Sequence, residues 1–166
     1  MRISHRRTAI AGPVIAAAVA LASLTAGAAG GGTDHSATSS PTPTVVQDDY
    51  AKAKGLIDRE RYRDAIPILE RLVTQNPADT DALNELGYSH RELGHAQRAL
   101  GYYLKALAIE PEHVGANEYL GELYLEMKDL PKAEERLAML QKACGNCQEF
   151  SELKEKIADY KAKQQS

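Results

Sequence analysis

Cysteine is nearly missing from this chain, which has two, Cys144 and Cys147, and none near the end of its apolar N-terminal stretch. Lipid attachment at that point is therefore excluded. No second pair completes a thiolate cage for a metal, and His90, His95 and His113 fall in other segments. Gln148 follows Cys147 where covalent haem attachment needs histidine. A phosphate-cradling glycine loop, a His-Glu-x-x-His helix and a nucleophile elbow are all lacking. The sequence thus offers no motif for an enzyme, a cofactor or a small-molecule substrate. Positive charge is not in excess either: 20 Lys and Arg stand against 23 Asp and Glu. Loss of an N-terminal leader carrying Arg2, Arg6 and Arg7 would leave 17 against 23, a net of −6, which argues against nucleic acid or anionic lipid as partner.

Residues Met1 to Arg7 are cationic, and Thr8 to about Ala29 is an apolar, alanine-rich run, the pattern of an export signal. Ala26 and Ala28 form a small-residue cleavage site, which places the signal peptide at 1–28 and the mature start at Ala29. Arg6-Arg7 raises a twin-arginine route, but Ala9-Ile10 is a poor version of the hydrophobic pair expected there, and the general route fits better. Gly12, Pro13 and the alanine content make a weak spanning helix, so membrane attachment is expected only if the signal stays uncleaved. The expected location is the periplasm, with secreted and anchored forms as alternatives. Residues 29–46, with three consecutive glycines and then Ser, Thr and Pro, read as a disordered linker ahead of a domain at 47–164.

Ala65, Ala99 and Ala133 lie 34 residues apart, and the same interval separates Gly87 from Gly121 and Pro77 from Pro111. Such a period means stacked helical hairpins that share a core, because none can bury its apolar face alone. In the second unit Leu83, Leu86, Gly87 and His90 mark one face of a first helix. Beyond Gly94, Ala96, Ala99, Leu100, Tyr103, Leu104 and Leu107 mark a second helix, which stops before Pro111. Gly87 and Ala99 are small where two helices cross closely, so a larger side chain is expected to wedge them apart.

Leu86-Gly87, Leu120-Gly121, Tyr124, Tyr103, the three alanines and the two prolines together resemble the tetratricopeptide repeat (TPR) family over roughly residues 46–147. The resemblance implies an all-α, right-handed α-solenoid of three TPR hairpins, at about 46–79, 80–113 and 114–147, closed by a capping helix at about 148–163. The chain departs from the motif at Leu83 and Asn117, where Trp is favoured, at His90, where Tyr is, and at Gly145, where Pro is. Phe150, Leu153, Ile157 and Tyr160 form a further stripe that reads as out of phase with the repeats. Glu155 there falls where a small residue is required, so this segment is expected to cap the array rather than open a fourth repeat.

In that family the first helices line a concave groove, which implies a partner-binding set of Tyr50, Lys54, Asn84, Tyr88, Arg91, Glu118, Glu122 and Glu126. The implied function is a non-catalytic protein-protein interaction scaffold or adaptor of the cell envelope, holding a peptide segment of a partner. Some members grip a terminal carboxylate with basic residues where this chain has Glu118 and Glu122, so a basic or amphipathic segment is expected instead. Glu118, Glu122 and Glu126 also read as a solvated helix face, and Tyr50 and Tyr88 as either anchors or packing. Cys144 and Cys147 are expected to form a disulfide in an exported chain, with Gly145 and Asn146 tolerating the turn between them. A thiol-disulfide role for the pair, and a self-assembling subunit joined through end faces, are the alternatives.

Overall fold

Seven helices occupy residues 43–165, the part of the chain that the computed structural model describes. They are α1 (Pro43–Ile57), α2 (Tyr62–Gln75), α3 (Thr80–Glu92), α4 (Ala96–Ile109), α5 (Val114–Glu126), α6 (Leu130–Cys144) and α7 (Gln148–Gln164), with no strand among the described residues. The export signal at 1–28 lies outside the described residues. So does most of the linker at 29–46, although α1 begins inside it at Pro43, a residue whose fixed φ suits a first helical position.

Helices α1 and α2, α3 and α4, and α5 and α6 pair as hairpins, and each hairpin packs on the next through α2 against α3 and α4 against α5. One turn is used three times. Glu60, Gly94 and Lys128, spaced by the 34-residue period, all take positive φ, at 57°, 75° and 62°. Only Gly94 adopts that conformation without a steric penalty. Between hairpins, Asp79 caps α3 by accepting from the Ala82 N–H at 2.9 Å, and His113 caps α5 by accepting from the Ala116 N–H through Nδ1 at 3.1 Å. The periodic alanines are fully enclosed: Ala65, Ala99 and Ala133 are each 0% exposed. Asn117 fills the place of the motif tryptophan by a different route, donating from Nδ2 to the carbonyls of Pro111 and His113 at 3.0 and 2.9 Å while Arg136 donates to its Oδ1 at 3.3 Å. It pins the entry loop of its own helix.

Two sequence expectations need correction. Leu104, assigned to the buried stripe of α4, is 47% exposed, because that stripe is saturated by Ala99, Tyr103, Ala106 and Leu107. The last helix is also not out of phase: α3, α5 and α7 start at Thr80, Val114 and Gln148, a constant 34 apart. Helix α7 packs on both α5 and α6, as the first helix of a next hairpin would. Glu155 is acceptable at the small-residue position because no second helix follows to cross it, and its side chain is exposed. Leu153 and Ile157 close the core from this end. Cys144 ends α6 and Cys147 is the residue before α7; their Cα atoms are 5.6 Å apart with the sulfurs at bonding distance, and Gly145 between them has φ 71°.

Gly101 has no packing reason to be glycine. It sits in mid-α4, exposed, and a Cβ built there meets nothing within 4 Å. Gly101→Ala is therefore expected to stabilise the fold by about 0.5–1 kcal/mol, seen as a higher urea midpoint at unchanged slope.

Candidate functional site

Because the first helices are 34 residues apart, they present the same positions side by side: Tyr50, Asn84 and Glu118 form one column, Lys54, Tyr88 and Glu122 another. Contact between α1 and α3, and between α3 and α5, aligns these columns into one face. At its centre Tyr88 and Tyr119 lie 4.8 Å apart between ring centroids, and Tyr62 meets Tyr88 edge-on at 6.0 Å. The Arg91 guanidinium sits over both central rings, 5.5 Å from Tyr88 and 5.9 Å from Tyr119. Tyr50, Tyr88 and Tyr119 are all half-buried, so each keeps part of a ring open to a ligand.

The charges of this face are largely spoken for. Lys54 donates to Glu85 at 2.9 Å, and Arg91 reaches Glu122 at 2.9 Å, Glu126 at 2.7 Å and Glu92 at 3.0 Å. Lys156 of α7 pairs with the same Glu122. Burial alone would weaken the charge on Arg91, but Glu122 foremost and then Glu126 hold its pKa well above the usual arginine value. Burial likewise raises Tyr50 and Tyr88 well above the usual phenol value, aided by Glu85 and Asp81 for the first and Glu92 for the second. Tyr119 is pushed up to about 12 by burial and then by Glu118, Glu85 and Glu122. All three therefore stay neutral and able to donate.

Tyr50, Lys54, Tyr88 and Arg91 thus come together on the open face, and Glu126 stands at its rim, with its side chain 52% exposed. Glu118 and Glu122, expected as open acids, are instead 4% and 6% exposed beneath α7. The physical reason is the register of α7: Glu152 and Lys156 lie 34 residues beyond Glu118 and Glu122 and so land against them. Glu118 faces Glu152, and its carboxyl is pushed up to about 8, by burial first and then by Glu152 and Glu122. Asn84 is also withdrawn, 5% exposed and turned toward Gly115, with Oδ1 buried and unpartnered among the described residues. The acids that do reach solvent flank the aromatic row: Asp81 with Asp79 beside Tyr50 at one end, Glu126 with Asp159 at the other. Sequence reasoning missed Tyr119, Glu85 and Lys156. For Lys156 the 34-residue spacing from Glu122 was the available signal.

Models of the tetratricopeptide repeat match residues 50–112 and 90–157. Among curated proteins, none matches the chain. Several solved structures are similar to it in fold. A Yersinia enterocolitica type III secretion chaperone, SycD, in complex with a peptide of the translocator YopD, is 20% identical with a TM-score of 0.63, over 72% of this chain and 91% of that one. PcrH, in complex with the chaperone-binding region of PopD, is 16% identical with a TM-score of 0.67, over 75% and 96%. The first TPR of Spaghetti (RPAP3), bound to the HSP90 peptide SRMEEVD, is 15% identical with a TM-score of 0.65, over 73% and 96%. At such identities the likeness is one of fold.

Proposed function

We propose, from the premise that this chain belongs to the tetratricopeptide repeat family, that it is a non-catalytic scaffold holding a peptide segment of a protein partner against the α1, α3 and α5 face. The observation that carries this reading is the set of half-open rings on this face, Tyr50 with Tyr88 and Tyr119, the last two packed together under the Arg91 guanidinium. Rings held in place before the ligand arrives lose little freedom on binding, so most of the contact energy appears as affinity. Peptide-bound relatives of the same fold, SycD, PcrH and the first TPR of Spaghetti, support the mode of binding. The segment is amphipathic with basic flanks: apolar side chains lie on the tyrosines, and Lys or Arg reach Asp81 and Glu126 at the two ends. The export-type N-terminus and the Cys144/Cys147 pair support a place in the cell envelope, where the pair acts as a disulfide that sets the angle of α7 on α6.

Selection of a random peptide library on the immobilised full chain tests this. Enrichment of sequences mixing aromatic or aliphatic residues with Lys and Arg is expected. Tyr88→Ala should weaken their binding at least tenfold while circular dichroism stays unchanged. Enrichment of acidic peptides, or indifference to Tyr50→Ala, Tyr88→Ala and Tyr119→Ala alike, would overturn the reading.

A further inference from the structure

The second helices carry a different feature, on the side away from the tyrosine row. Helices α2 and α4 make no close backbone contact with each other, and the gap between them is a hollow lined by Glu70 of α2, His90 of α3, and Arg98, Gly101, Tyr102 and Lys105 of α4. Arg98 and Lys105 stand two helical turns apart, about 10 Å along the axis, on one side of α4. Neither has an acidic side chain within ion-pair distance among the described residues; the Lys105 ammonium rests over the Tyr102 ring at 5.5 Å. His90 stacks on the same ring, with planes 2° apart and centroids 5.4 Å apart, and His90 Nδ1 lies 3.2 Å from His95 Nδ1. Gly101 adds a stretch of bare backbone to the wall, glycine in a place where packing does not ask for it.

The repeat supplies an internal control. One period later the same positions hold Leu104, Tyr124, Lys132, Glu135, Arg136 and Met139. There Lys132 is neutralised by Asp129 at 2.6 Å and lies over Tyr124 at 5.3 Å, and Glu135 supplies a side chain where Gly101 has none. The hollow thus arises where the second hairpin departs from its neighbour, at His90 in place of Tyr and at Gly101 in place of a side chain. Those departures open space and leave two cations uncompensated, with Glu70 as the single acid on the wall.

We propose that this hollow is an anion-binding site, taking one carboxylate or phosphoryl group between Arg98 and Lys105 with the imidazole of His90 at its base. Arg98 provides a planar pair of N–H donors suited to either oxyacid, Lys105 a point charge, and Gly101 the room for close approach. Glu70 repels a group that enters from the α2 side, so the ligand enters along α4. Burial first, then His95 and Arg98, holds His90 below its usual pKa, with Glu70 opposing. A bound anion would favour imidazolium and reverse that depression, which makes His90 a reporter of occupancy.

The test is a pH titration of the histidine ring resonances of the full chain, with inorganic phosphate and, separately, acetate, against sodium chloride at matched ionic strength. Expected is a saturable upward shift of the His90 pKa that chloride does not produce. A larger response to phosphate assigns a phosphoryl source, and an equal or larger response to acetate a carboxylate source. Arg98→Gln with Lys105→Gln should weaken the affinity at least tenfold. Gly101→Leu, which keeps both cations but fills the hollow, should do the same, with circular dichroism unchanged in each variant. The proposal is overturned if neither anion saturates, or if either the double variant or Gly101→Leu binds as the parent does.

Discussion

Gly87→Val is expected to cost about 3 kcal/mol of stability and to lower the melting temperature by roughly 10–15 °C. A Cβ at Gly87 would lie 2.5, 2.6 and 2.9 Å from Cε1, Cδ1 and Cζ of Tyr103, all closer than real Cβ contacts come. Whether such a clash is cheap depends on whether the neighbour can yield. Tyr103 cannot: it is 0% exposed, the largest fully buried side chain, and Ala99 and Leu107 pack in the same cluster around it. The ring must stay, so the α3–α4 hairpin has to open, and with it the support beneath Tyr119, whose centroid is 6.4 Å from that of Tyr103. Gly55→Ala is the control, since its Cβ meets only the tip of Arg59 at 3.5 Å and should change little. Thermal melts of the two variants side by side decide the matter; a loss below about 1 kcal/mol for Gly87→Val would mean that the Tyr103 ring has room to move.

The second large effect is on pH. Glu118 is 4% exposed, faces Glu152 from α7 and Glu122 on its own helix, and has Lys156 as the nearest compensating charge. Its pKa in the folded chain is about 8, against 4.5 ordinarily, so the folded state holds a proton that the unfolded state releases. The stabilisation this proton provides is complete below pH 4.5 and is lost as pH rises to about 8, where the carboxylate forms beside two others. The size is on the order of 3 kcal/mol across that window. Glu152, held below its usual value by Gln148 and then by Glu118, bends the curve the other way at acid pH, as does His90 near neutrality. Glu118→Gln isolates the contribution: the variant keeps a neutral donor toward Glu152, and its stability relative to the parent should rise steadily from pH 5 to pH 8. Parallel denaturation curves for parent and variant across that range would remove Glu118 as the source. The loss should centre on α7, so amide exchange in Gln148–Gln164 is expected to speed up ahead of the rest as the pH is raised.

These two residues also divide what was readable in advance from what was not. Gly87 was legible as a close helix crossing because a small residue recurs there 34 positions on, but the side chain it makes room for is the Tyr103 ring and not Ala99. Its twin Gly121 follows the rule with a different partner, since Leu153 of α7 comes nearest to the added carbon, at 2.5 Å. Glu118 was legible as a position on the groove column but not as a buried group. Periodicity says which side of a helix a residue is on; it does not say whether a later helix will cover that side. Tyr119, one residue on, has a ring long enough to serve both core and groove, a choice that helical phase alone does not resolve.

Local spacing thus determined the helices, their pairing, the enclosed alanines at 65, 99 and 133 and the face that Tyr50, Tyr88 and Arg91 share, because a 34-residue period repeats one local problem and one local solution. Only the assembled structure decided which acids stay open, where α7 lands and where the gap between α2 and α4 is left unfilled. Those outcomes are set by what packs against each face from elsewhere in the chain. Burial and charge compensation are properties of that meeting, and no single helix carries them.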